Sequence, residues 1–163
     1  MLIASYKCKL EERINQEIYL PERIYSCMMY TMQNVDLEEF KDLYIKTAVE
    51  YVYILKDKLE DYTTEGNKNL LQALFMASHS LKGQSYAMNY NDIGKVSREI
   101  ELFFQDAQNL KRIPQSNELD AIGELIEYLS LSIESIQNNS VEIPLDQNHN
   151  NLLSLIHKNS YTI

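Results

Sequence analysis

The sequence predicts an all-α protein folded as an antiparallel four-helix bundle with additional N-terminal helices, and three observations carry that reading. Gly and Pro are scarce, 4 and 3 of 163 residues, whereas a sheet protein needs frequent tight turns. Four stretches of about twenty residues each repeat apolar side chains at three- and four-residue spacing. The breaks between them are short and polar, which in a helical protein makes consecutive helices antiparallel neighbours.

The first stretch opens at Asp36, where Asp36 and Glu39 have the spacing of a capping box. Leu37, Phe40, Tyr44, Ala48, Tyr51, Leu55 and Leu59 form its stripe, and Thr63-Thr64-Glu65-Gly66 stops it after about Tyr62. A second helix starts near Asn67 and carries Leu70, Leu74, Ala77, Leu81, Ser85 and Met88. Asn89 suits the left-handed residue that ends such a helix. Asn91 is the candidate cap of a third, striped by Ile93, Val96, Ile100, Phe103, Phe104, Ala107 and Leu110 and ended by Pro114. Ser116 and Asn117 are candidate caps of a fourth, carrying Leu119, Ile122, Ile126, Leu129, Ile133 and Ile136.

Three segments follow: a helical extension at 1–35 that packs on the bundle, the bundle at 36–137, and a polar linker with a short helix at 138–163. Residues 7–33 read as one or two helices broken near Pro21, and Leu152–His157 as the closing helix. A length of 163 residues fits one core that needs neither disulfide nor metal. Cys8 and Cys27 have no CxxC spacing and read as reduced thiols of a cytoplasmic protein. The net charge of −9 opposes nucleic-acid and anionic-membrane binding, which need a basic face. No apolar run is long enough to span a bilayer.

The stretch with chemical content is Ala77–Ser85. At 100° per residue, His79 points roughly 150° away from the stripe of its own helix, so it faces solvent. Lys82 and Gly83 lie three and four residues on, sharing its face. A glycine inside a helix costs about 1 kcal/mol relative to alanine. Here it gains clearance, letting another protein approach the imidazole without meeting a Cβ. Lys82 brings positive charge to where a phosphoryl group would sit, and Phe75, Met76 and Tyr86 make an apolar collar suited to docking. Neutral imidazole is nucleophilic near pH 7, which suits reversible phosphoryl transfer. With no Gly-rich phosphate loop, kinase-type loop or carboxylate cluster for Mg²⁺, the chain should receive and donate the group rather than take it from ATP.

His79-Ser80-Leu81-Lys82-Gly83 resembles the H-x-L-K-G motif of histidine-containing phosphotransfer (HPt) domains. The resemblance continues in Ile93, about fourteen positions on, and in Ile100-Glu101, and it spans roughly residues 36–137. It implies a phosphorelay carrier: His79 takes a phosphoryl group from a histidine kinase, a hybrid kinase or a receiver-domain aspartate of a response regulator, and passes it to another receiver. It also implies that Mg²⁺ is supplied by the receiver and that no cofactor is bound by this chain. Glu101 falls where chemotaxis-kinase phosphotransfer domains place a glutamate that orients the histidine ring. Two positions depart from the family: Asn89 replaces a glycine, and Tyr86 is bulkier than the usual small residue.

Other readings are weaker. A di-iron bundle needs Glu-x-x-His pairs, and none of His79, His149 and His157 has a glutamate three residues before it. Zinc lacks clustered ligands, nothing places Cys8 or Cys27 beside His79, and His149 and His157 read as surface residues. Two alternatives stay open: a phosphotransfer module of a chemotaxis-type histidine kinase, and an HPt-like module that binds a receiver or other protein without being phosphorylated. The lack of dimerisation and ATP-binding segments favours a free-standing carrier.

Overall fold

The computed structural model describes residues 37–109 and 113–158. These form five helices in chain order: α1 Leu37–Glu65, α2 Asn69–Ala87, α3 Asn91–Gln108, α4 Ser116–Asn139 and α5 Gln147–Lys158. There is no strand among the described residues. The expected N-terminal extension, Cys8, Cys27, the Asp36–Glu39 capping box and Leu110 lie outside the residues whose structure or side chains are described.

Cross-helix pairs fix the antiparallel arrangement. On α1 and α2, Tyr44 Oη meets Ser85 Oγ at 3.1 Å and Thr47 Oγ1 donates to Gln84 Oε1 at 2.7 Å. On α2 and α3, Gln108 donates to Gln72 at 3.1 Å, and His79 lies against Glu101. On α1 and α4, Lys56 pairs with Glu127 at 2.7 Å, and Lys41 donates to Ser140 at 2.8 Å. In each pair, partners descend along one helix as they ascend along the other.

The apolar stripes converge on one core. Leu55, Leu74, Leu81, Ile93, Ile100, Phe104, Ile122, Leu125, Leu129 and Ile136 have no exposed surface. Phe103 and Phe104 meet edge to face, with ring centroids 5.3 Å apart. Truncating a residue such as Leu125 there should cost about 2–5 kcal/mol, because close-packed neighbours cannot refill the space. One predicted core residue is misplaced: Phe40 is 50 % exposed. The buried face of α1 instead turns through Tyr44, Ile45, Ala48, Val52, Leu55 and Leu59, leaving Phe40 on its edge.

The helix ends show where local chemistry decides. Gly66, with φ +63°, stops α1 at Glu65, slightly beyond the expected end. Asn89 adopts φ 62° as expected, and Tyr90 N–H donates to Ser85 C=O at 2.9 Å while Asn89 N–H donates to Tyr86 C=O at 3.1 Å. This is a Schellman closure, which satisfies the last carbonyls of α2. The α4 cap sits one residue earlier than expected, at Gln115, whose N–H donates to the Glu118 carboxylate at 2.9 Å.

The expected Asn91 cap of α3 is also corrected. Tyr90 is the cap residue and makes no side-chain cap bond, while Glu142 accepts from Asp92 N–H at 3.2 Å and Ile93 N–H at 3.1 Å. A carboxylate from fifty residues away thus satisfies the free amides and complements the helix dipole. The segment expected as a polar linker is therefore tied down. Ile143 N–H donates to Ser132 Oγ at 2.9 Å, Tyr128 Oη donates to Ile143 C=O at 2.6 Å, and Leu145 N–H donates to Asp92 at 3.2 Å. It leads into α5, which starts earlier than expected and lies along α3 and α4 with Leu153 and Ile156 buried. No described helix is long and apolar enough to cross a membrane.

Candidate functional site

Helix α2 buries Leu71, Leu74, Ala77, Ser78, Leu81 and Ser85. Ser78 is accommodated because its hydroxyl donates back to the carbonyls of Leu74 and Phe75, both at 2.9 Å. The 100° step then turns His79 outward, and its side chain is 54 % exposed. Phe75, one turn earlier and packed against the core, stacks on the imidazole with ring centroids 5.9 Å apart and planes 28° off parallel.

Glu101 reaches the site from α3. Its side chain is only 9 % exposed, and its two oxygens are divided between two partners. Oε1 lies 2.6 Å from His79 Nδ1, and Oε2 lies 2.6 Å from Lys82 Nζ. Burial alone pushes this carboxyl up; hydrogen bonds from Lys82 and His79, and their charges, outweigh it and hold the group below the usual carboxylate range. Glu101 is therefore ionised near neutrality, and an ionised carboxylate only accepts hydrogen bonds. His79 Nδ1 must be the donor. In the neutral ring that leaves the lone pair on Nε2, at the opposite corner of the imidazole.

Lys82 shares the Glu101 carboxylate with His79. Its ammonium is against Glu101, with the side chain 25 % exposed, so it first neutralises a buried carboxylate. Without it, Glu101 would be a buried charge shared only with an imidazole. Gly83 is exposed, and a Cβ there would meet nothing within 4 Å. Nothing within the described residues requires a glycine at this position, so its clearance faces outward. Met76 and Tyr86 are 48 % and 41 % exposed, while Phe75 is half-buried.

One neighbour of this surface has no signature in the spacing of its own helix. Gly94 on α3 is buried, and a Cβ on it would lie 2.7 Å from Cε1 of Tyr86. The Tyr86 ring thus rests on the bare backbone of α3. The signal was available in the register: His79 faces Glu101 across α2 and α3, and stepping seven residues along each helix pairs Tyr86 with Gly94.

Among the described residues, no three His, Cys, Asp or Glu side chains gather as a metal site. His149 lies against Asp146 and His157 against Glu99, both away from His79. The geometry around His79 can present an oriented imidazole nitrogen to an incoming electrophile and hold a countercharge beneath it.

The model of the Hpt domain matches residues 39–139 of this chain. The chain is also similar to chemotaxis protein CheA of Bacillus subtilis (strain 168), at 26 % identity over 106 residues. That match covers 63 % of this chain but only 15 % of the relative's length. No solved structure matches it significantly. With the family model covering most of the described bundle, including His79 and Glu101, the chain belongs to the Hpt domain family, the histidine phosphotransfer modules of two-component signalling.

Proposed function

We propose that His79 Nε2 carries a phosphoryl group between the aspartate of a response-regulator receiver domain and a second protein, either another receiver or a histidine or hybrid kinase. The single observation behind this is the division of the Glu101 carboxylate between His79 Nδ1 and Lys82 Nζ, both at 2.6 Å. It orients the ring with its lone pair outward and keeps the supporting charge buried.

In this reading Nε2 attacks phosphorus in line with the leaving carboxylate of an aspartyl phosphate. The P–O bond to the aspartate breaks as the P–N bond forms, and the aspartate departs as a carboxylate. The ring keeps its Nδ1 proton and becomes a phosphorylated imidazolium, whose positive charge faces Glu101. Attack by a receiver carboxylate reverses each bond change. Mg²⁺, supplied with the receiver, offsets charge on the phosphoryl oxygens. Lys82 holds Glu101 and adds positive potential close by, and Gly83 leaves room for the receiver's loops. Met76, Tyr86 and the edge of Phe75 supply apolar contact. The bundle at 36–137 is the transferring unit, acting in the cytoplasm.

The likeness to CheA favours a second version, in which the same histidine serves within a longer chemotaxis-type kinase and the group comes from that kinase. Both versions put the phosphoryl group on the same nitrogen. The test mixes the protein with phosphorylated receiver domains and Mg²⁺. Acid-labile, alkali-stable phosphate should appear on the wild type and not on His79→Gln. Absence of label from the wild type with several competent receivers would instead support a module that binds without relaying.

A further inference from the structure

The α2–α3 seam carries two aromatic rings seven residues apart on one helix, His79 and Tyr86, about 10 Å along the axis. Gly83 lies between them, and its open side has no atom within 4 Å of a Cβ position. Each ring has its own support on α3. His79 is held by the carboxylate of Glu101, and Tyr86 is laid on Gly94, where a Cβ would come within 2.7 Å of Cε1 and 2.8 Å of Cδ1. Tyr86 nevertheless keeps 41 % of its surface exposed. It is therefore lowered onto α3 without being buried.

We propose that Gly94 is a specificity-determining residue for phosphotransfer, because it seats the Tyr86 ring low enough to form one wall of a notch floored by Gly83. This rests on the relay reading above. The occupant is the receiver domain that exchanges phosphoryl groups with His79, presenting an apolar side chain to the exposed face of Tyr86. A ring displaced outward would stand in the path of that surface, on the same face as the nucleophile. Glycine at 94 and tyrosine at 86 thus act as one device: the bulk of the second requires the bareness of the first.

The far end of a tyrosine can swing, so a methyl group at 94 should move the ring and not the helix backbone. That makes Gly94→Ala an informative variant, and alanine is also the better helix former. Its helix content should equal wild type. Its KM for the phosphorylated receiver should rise about tenfold, the size expected for loss of a central aromatic contact, with kcat much less affected. Gly123→Ala, whose Cβ meets only a Leu59 methyl at 3.9 Å, controls for glycine replacement in a helix and should leave KM unchanged.

Tyr86→Ala should also raise KM, and adding Gly94→Ala to it should change nothing further, since the ring through which Gly94 acts is gone. Unchanged KM in Gly94→Ala, or an equal effect of that substitution with and without Tyr86, overturns the inference while leaving the relay intact. A wild-type protein that no receiver labels overturns the relay itself, and this inference with it.

Discussion

Histidines 79 and 149 both place Nδ1 against a carboxylate, and the two sites are built in opposite senses. At His79 the ring is 54 % exposed and its carboxylate 9 %. At His149 the ring is 23 % exposed and the side chain of Asp146 62 %. The second ring is packed on Tyr128, with centroids 4.6 Å apart. Asp146 also caps α5, accepting a hydrogen bond from His149 N–H at 2.8 Å, and that backbone bond is the main reason its carboxyl is held below the usual range. One site buries the acid and exposes the base; the other half-buries the base and exposes the acid. Proximity of His to Glu or Asp therefore does not by itself separate the proposed phosphoryl site from the other. The two differ in which partner is the more enclosed.

The largest expected difference between the two sites is in labelling. Replacing His149 and His157 together with Gln should leave phosphoryl uptake at wild-type rates, whereas His79→Gln should abolish it. Retained uptake in the second protein would put the nucleophile elsewhere.

Next comes clearance. Gly83→Leu should slow transfer by about a hundredfold, as a displaced approach removes the favourable geometry of attack. Circular dichroism should be unchanged, because the position is exposed and a Cβ there meets nothing within 4 Å. Equal rates would rule out clearance as the reason for this glycine.

The buried carboxylate should have a smaller effect. Glu101→Gln should lower the transfer rate about tenfold, comparable to loss of an outer partner of a reactive histidine. It should also alter how stability depends on pH. Glu101 is held below its ordinary value of 4.5, so its stabilisation is complete above that pH and is lost as pH falls through the lower folded value. The difference in melting temperature between wild type and Glu101→Gln should accordingly shrink in acid; a difference that stays constant on acidification from neutral pH would contradict the assignment.

Smallest in its effect on function is Asp146→Ala. Loss of this cap should lower the melting temperature slightly and leave transfer unchanged. A slowed transfer would mean that the His149 region communicates with the seam.

Much of this was readable because it is local. The apolar spacing of α3 and α4 set their buried faces, with Ile93, Ile100, Ile122 and Ile133 all in the core. Asn89 declared its left-handed turn through its own side-chain chemistry. The wheel position of His79 gave its exposure, and the family likeness supplied Glu101 as its neighbour.

What was not readable depends on residues far apart in sequence. Glu142 caps α3 from fifty positions away, and its segment looked like a linker because its polar groups are spent on the bundle. Phe40 has the right spacing for the core but sits at the margin of the stripe, outside the buried face that runs through Tyr44, Ile45 and Ala48. The pairing of Lys82 with Glu101 needs the register of α2 against α3, which the spacing within one helix does not give. Gly94 is silent until the register of α2 against α3 sets Tyr86 above it.

Glu101 leaves Nε2 of His79 free, and that is the nitrogen proposed to carry the phosphoryl group. Phosphorus–nitrogen coupling in the ¹⁵N-histidine-labelled, phosphorylated protein measures this directly. One coupled resonance is expected, assigned to His79 Nε2 and absent from His79→Gln. Coupling to Nδ1 of His79, or to either nitrogen of His149 or His157, would contradict it.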